Sequence, residues 1–281
     1  MYIGSHVSTR GGYAEAAKTA LKIGANAFQY FPKNPRSLTV KSFDARDAEA
    51  CAFFCREHGL LSIAHSPYPT NLMAEDERSV QLTVASLRND LAIADRCGSV
   101  GVVVHFGKWK SNDPLQGYKN SIQCLNEVLA GYDGNALLLI ENQAGEGTVV
   151  GTTLEEMVSI RKLTQYPDKI GFCLDTCHAF ASGLWAGDDW TALEERGAAL
   201  GYFEHLKAIH LNDSVYAYGG RRDRHANIGK GFIGETHFRI LLQSAYIRRI
   251  PVVLETEPGR DRTHREEIAY VRSIAGTEDP G

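Results

Sequence analysis

The chain predicts a (β/α)8 barrel, and three observations carry that expectation. Short apolar runs recur about one βα unit apart, the segments between them are amphipathic, and six of the runs end in a residue able to bind a metal ion. The runs IAHS, VVVHF, LLLIEN, GFCLDTCH, KAIHLND and PVVLETE bring up His65, His105, Glu141, Asp175, His210 and Glu255 at intervals of 40, 36, 34, 35 and 45 residues. A strand–helix–strand crossover needs roughly 30 or more residues. In a closed barrel the C-terminal strand ends converge on one face, so ligands far apart in sequence would meet there.

Eight strands are predicted, over residues 2–7, 27–31, 61–66, 100–106, 136–142, 170–176, 206–212 and 251–256. Runs such as VGVVVHF and ALLLIEN are apolar throughout, as parallel strands covered on both faces are. The first intervening helix, residues 13–23, puts Ala16, Ala17, Ala20, Leu21 and Ile23 on one stripe, with Glu15, Lys18 and Lys22 largely opposite. Further helices are predicted over 45–58 and 80–96, and Gly24, Gly59 and Gly98 supply left-handed stops after the first three. The same alternation also permits a doubly wound open sheet. However, no GxGxxG or P-loop follows the first strand, and an open sheet would concentrate its site at one switch point. No linker rich in Pro, Gly or Ser divides the chain, so residues 1–281 are expected to form one barrel domain, with TEDPG as a frayed tail.

Composition narrows the function. No apolar run approaches the roughly 20 residues of a membrane span. The start, MYIGSHVSTRGG, lacks the pattern of a secretory signal, so a cytoplasmic location is expected. A net charge of −4 gives no global attraction to nucleic acid. Local basic clusters do exist: Lys33 with Arg36, Lys108 with Lys110, and Arg221, Arg222 and Arg224 with Lys230. Each alone reads as a solvated loop, but all follow predicted strands and would rim one barrel mouth. None of the six cysteines forms a CxxC pair, so reduced, mostly buried thiols are expected. Cys177, beside candidate ligands, reads as a packed thiol rather than a ligand. No amphipathic stretch is left over for a partner, which makes a monomer the expectation.

Nine candidate ligands can be named: His65, His105, Glu141, Asp175, His178, His210, Asp223, His225 and Glu255. A lone histidine is more often structural than ligating. Carboxylates placed straight after buried aliphatics are harder to dismiss, because a buried carboxylate must be paired or metal-bound to stay ionised. Imidazole with carboxylate suits zinc or manganese rather than calcium or an iron–sulfur cluster. One zinc takes three or four protein ligands, so nine imply more than one ion. Clustered divalent ions suit phosphodiester hydrolysis, whereas an isomerase usually needs one or two.

At these residues the chain resembles the endonuclease IV family, the zinc-dependent apurinic/apyrimidinic endonucleases of DNA repair. The likeness runs through IGSHVSTRGG, FPKNPR, HSPYPTNL, ENQAGEG, LDTCHAFASG, HLNDS, DRHANIGKG and LETEP, almost the whole chain. It implies a (β/α)8 barrel with three zinc ions. His65, His105 and Glu141 would hold the first. Glu141 would bridge to the second with Asp175, His210 and Glu255, and His178, Asp223 and His225 would hold the third. Glu141 and Glu255 would be the catalytic carboxylates. The implied reaction is hydrolysis 5′ to an abasic site in duplex DNA, leaving a 3′-hydroxyl and a 5′-deoxyribose phosphate. The resemblance also makes Lys33, Asn34, Arg36 and Tyr68 DNA-binding residues. Pro35, Ser37 and Pro69 depart from the usual pattern, and Ser37 is too short to wedge into a duplex, a task left to Arg36 and Tyr68. Two other readings remain. A sugar isomerase would use only Glu141, Asp175, His210 and Glu255 around one manganese or magnesium ion, and a non-catalytic DNA-binding barrel would use none.

Overall fold

In the computed structural model, which describes residues 1–109, 111 and 113–276, every predicted barrel strand is present. Lys110 and the TEDPG tail lie outside the described residues. The barrel strands are β1 (Tyr2–His6), β2 (Ala27–Tyr30), β3 (Leu61–His65), β4 (Gly101–Val104), β5 (Leu137–Glu141), β6 (Ile170–Asp175), β7 (Leu206–His210) and β10 (Pro251–Leu254). They close in the order β1-β10-β7-β6-β5-β4-β3-β2, all parallel. Each stops one or two residues short of its apolar run, because His105, Asn142, Thr176, Asn212 and Glu255 already turn off the ladder into the site.

Strand periodicity explains what fills the barrel. Ile63, Val103, Leu139, Cys173, Ala208 and Val253 form a separate buried cluster. Each lies two residues before one of the six leading ligands, so a period of two points both down the same interior. An apolar layer therefore floors the polar one. The larger core lies between the strands and the surrounding helices. Gly4 lets β1 and β2 approach, since a Cβ there would sit 1.6 Å from the Ala27 carbonyl oxygen.

The helices α1 (Tyr13–Lys22), α2 (Ala45–Glu57) and α3 (Glu77–Arg96) follow the expected order, and Gly24, Gly59 and Gly98 have φ of 83°, 62° and 67° behind them. The first lacks a side-chain cap of its own; Asp47 of α2 accepts from Tyr13 N at 2.6 Å and from Ala14 N at 3.2 Å instead. Beyond β4 come α4 (Pro114–Leu129), α5 (Leu154–Leu163), α6 (Thr176–Ser182), α7 (Trp190–Leu200), α8 (Glu235–Leu241) and α9 (Arg265–Ala275). One element is unanticipated. In the connection after β7, β8 (Asp213–Ser214) pairs antiparallel with β9 (His225–Ala226), and so brings His225 back to the barrel mouth. Among the described residues, no helix is long and apolar enough to cross a membrane.

Candidate metal centre

His65, Glu141, Asp175 and His210 are the last residues of β3, β5, β6 and β7, and His105 and Glu255 directly follow β4 and β10. The remaining three candidates come from outside the barrel strands. Asp175 caps α6 by accepting from His178 N at 2.7 Å, which makes His178 part of the first helical turn. Asp223 and His225 ride on the β7–α8 connection.

Among the groups of side chains whose ligand atoms lie within 4.8 Å of one another are three drawn from these nine residues alone: His65, His105 and Glu141; Glu141, Asp175, His210 and Glu255; and His178, Asp223 and His225. Glu141 belongs to two of them, and these are the three sets the sequence resemblance implies.

The donor chemistry fits cations. His65 Nδ1 donates to Ser66 O at 2.8 Å, His178 Nδ1 to Asn142 O at 2.9 Å and His225 Nδ1 to Glu255 O at 3.4 Å. A carbonyl only accepts, so each Nδ1 carries the proton and each Nε2 lone pair is free to face the cluster. Glu141 Oε2, His178 Nε2 and His225 Nε2 are buried there without a hydrogen-bond partner. His105 Nε2 lies 2.8 Å from Glu141 Oε2, yet that oxygen gains no hydrogen bond from it. Native structures leave few buried polar atoms unpaired.

Charge makes the same demand. Four carboxylates are packed among five imidazoles. Burial pushes His178 and His210 down, yet Asp175 and Asp223 carry His178, and Cys173, Glu255 and Glu141 carry His210, well above the ordinary histidine range. His225 likewise rises to about 9 against burial, through Asp223 and Asp175. Burial pushes the Glu255 carboxyl up, but His210 and the other imidazoles bring it to about 2. With neutral imidazoles the four carboxylates leave the cluster negative, a charge that divalent ions would balance.

Buried amides hold the candidate ligands in place. Asn212 Nδ2 donates to Asp175 Oδ2 at 2.7 Å, and its Oδ1 accepts from Glu255 N at 2.9 Å. Asn142 Oδ1 accepts from Asp175 N at 2.8 Å and its Nδ2 donates to Asp175 O at 3.0 Å. Neither role was read from the sequence, although an asparagine closing an apolar run in LLLIEN and KAIHLND was the available signal. Cys177 is buried, its thiol pushed up to about 12 first by burial and next by Asp175, and its Sγ reaches Arg224 O at 3.6 Å. It therefore packs as a neutral thiol under the loop between Asp223 and His225. An Asp175–Cys177–His225 grouping also has ligand spacing, but a thiol raised this far is a poor ligand.

The rim carries the candidate DNA contacts. A cavity of about 410 Å³ lies over the cluster, lined by Phe31, His65, Tyr68, His178 and Glu255 among others. Tyr68 is 71% exposed, its ring edge-on to Phe31, and its amide donates to Pro35 O at 2.8 Å. Arg36 is exposed beside it, in a turn where Asn34 Oδ1 accepts from Arg36 N at 3.0 Å. Lys108, Arg221, Arg222, Arg224 and Lys230 are exposed as expected. Lys33 corrects an expectation: it is buried, its ammonium paired with Asp90 of α3 and donating to Ser86 O at 2.9 Å. An ammonium so enclosed cannot reach a phosphate, and its role is to anchor the β2 loop to α3.

The xylose isomerase-like TIM barrel family model matches residues 17–274. The protein called probable endonuclease 4 in Symbiobacterium thermophilum is 42% identical over 274 residues, covering 98% of this chain and 99% of that protein. Its namesake in Heliobacterium modesticaldum is 35% identical, with 97% and 99% covered. The crystal structure of endonuclease IV from Thermus thermophilus superposes with a TM-score of 0.85 at 33% identity, covering 98% of this chain and 99% of that one. A D-tagatose 3-epimerase-like protein, at 20% identity and a TM-score of 0.71, shares the fold. With near-complete coverage at this identity, the chain belongs to the endonuclease IV family of the xylose isomerase-like TIM barrels.

Proposed function

We propose that this protein is a DNA-repair endonuclease that hydrolyses the phosphodiester 5′ to an abasic site in duplex DNA, leaving a 3′-hydroxyl and a 5′-deoxyribose phosphate, with three zinc ions as cofactor. The observation that carries the proposal is the convergence of three ligand sets on one mouth, two sharing Glu141, with buried donor atoms left unpaired. Zinc bound there would polarise phosphoryl oxygens, lower the pKa of water and neutralise a leaving alkoxide. The chain's own contribution is orientation. Backbone carbonyls lock three imidazoles with Nε2 inward, and Asn212 ties Asp175 to Glu255. Arg36 and Tyr68 stand exposed on the rim, where an arginine pairs with phosphate and an aromatic ring stacks on bases. A third ligand set exceeds what a sugar isomerase with one ion needs, which favours phosphoryl chemistry. One chain supplies all nine ligands, which supports action as a monomer.

The test is direct. Zinc-loaded protein should nick a duplex bearing one tetrahydrofuran abasic analogue, Glu255→Gln should abolish the nick, and metal analysis should return about three zinc per chain. An intact duplex after incubation with fully loaded protein would end the proposal.

A further inference from the structure

Strands β1 and β2 supply none of the nine ligands, yet each also presents a polar residue at the barrel mouth, His6 and Gln29. Gln29 is fully buried and touches two proposed ligands. Its Nε2 donates to Glu255 Oε1 at 2.6 Å and also reaches His6 Nδ1 at 3.4 Å, while its Oε1 lies 2.7 Å from His210 Nε2. Glu255 as a carboxylate only accepts, so the amide NH2 must face it, and the amide oxygen is then left for His210. That oxygen also only accepts, so His210 carries a proton on Nε2. Nδ1 becomes the nitrogen aimed into the cluster, 3.0 Å from Glu141 Oε1 and 3.2 Å from Glu255 Oε2. His210 thus presents the nitrogen opposite to that presented by His65, His178 and His225, and among the described residues no backbone carbonyl anchors its ring. The side chain of Gln29 fills that role.

We propose that Gln29 is a positioning residue: it selects Nδ1 as the ligating nitrogen of His210 and fixes the Glu255 carboxylate, so that one amide orients two of the four ligands in the set shared by Glu141, Asp175, His210 and Glu255. The inference deepens the metal-centre reading and rests on it for its consequence, cation affinity. Outer hydrogen bonds of this kind change metal affinity by about 10–100-fold.

The experiment compares wild type, Q29M and Q29E in two measurements. One is zinc affinity by competition with a chelator. The other is the imidazole spectrum of 15N-labelled protein, with and without zinc. Methionine keeps the volume and removes both hydrogen bonds; glutamate can accept from His210 but cannot donate to Glu255. In wild type the His210 Nε2–H should be visible and slow to exchange. Q29M should lose that signal and bind one zinc about 10–100-fold more weakly, whereas Q29E should keep the signal. If wild type takes up no zinc, the metal proposal falls, and the role of Gln29 is then read from exchange in the zinc-free protein: Q29M should speed exchange of the His210 Nε2–H, and an unchanged rate overturns it. If Q29M retains that signal and wild-type affinity, the inference is overturned. Should Q29M not fold, loss of the signal in folded Q29E overturns it instead.

Discussion

Lys33→Met separates a structural role from a DNA-binding one. The side chain of Lys33 is 2% exposed and that of Asp90 is 0% exposed. Removing one partner of a buried ion pair costs about 3–5 kcal/mol. Burial already pushes the Asp90 carboxyl up to about 7 with Lys33 opposing it, and without the lysine it rises further. At about 2–4 °C per kcal/mol for a domain of this size, Tm should fall by roughly 6–20 °C. The sign of the pH dependence follows: a carboxyl raised in the folded state penalises folding above its unfolded pKa and not below it. Asp90 sits near 7 with Lys33 beside it and higher without it, so the part of the K33M deficit that comes from this acid should grow as pH rises above about 7 and vanish below it. DNA affinity against salt gives the complementary reading, since each phosphate contact contributes about −0.9 to the log–log slope. K33M should keep the wild-type slope, while Arg36→Ala should flatten it by about one contact. A K33M protein that melts at the wild-type temperature and loses a unit of slope would refute the burial argument.

Further outcomes are expected from the same geometry. Chelation should lower Tm and added zinc should restore it, by about 2.7 kcal/mol for each site at a hundredfold excess over Kd; an unchanged melting curve speaks against a cation-holding cluster. Tyr68→Ala removes a ring that is 71% exposed, so stability should move by no more than about 0.5 kcal/mol. Affinity for abasic duplex should drop by about 1–3 kcal/mol, and binding titrations that show no loss would remove Tyr68 from the interface.

What could be read in advance follows from how local each signal is. Short apolar runs located all eight barrel strands, and the polar residues that end six of them marked candidate ligands, because burying a carboxylate is costly enough to demand a reason. Strand ends were overshot where polar residues leave the ladder while still adjoining the apolar run. The β8–β9 pair has two residues per strand, too few to show any period. Amides were missed because a glutamine in AFQY or an asparagine in HLND does not announce its partner; Gln29 meets residues 181 and 226 positions away. The Lys33 partner left a weak trace. Asp90 lies on the buried stripe of α3 with Leu87, Leu91 and Ala94, and an acid there calls for a cation.

Six candidate ligands are borne by strand ends and are as fixed as the barrel, whereas two members of the third candidate set hang on the connection after β7. That connection has its own organiser. Asp213 is buried and collects five backbone amides: Ser214 at 2.8 Å, Gly229 and Gly231 at 3.0 Å, Ile233 at 2.9 Å and Gly234 at 3.3 Å. Elsewhere the amide of Asp223 donates to Glu146 Oε2 at 2.8 Å and its carbonyl oxygen accepts from the neighbouring Arg224, and its side chain is 41% exposed. Asp213→Ala should therefore unpin the loop that carries Asp223 and His225, while leaving the strand-borne ligands in register. Because that loop is partly exposed, its freed amides can turn to water, and the barrel should still fold. Metal analysis should then return about two zinc instead of about three, with nicking lost and the two remaining ions held as tightly as in wild type. Three ions retained in folded D213A would mean that the third set does not depend on this connection, and that the barrel alone fixes the number of cations.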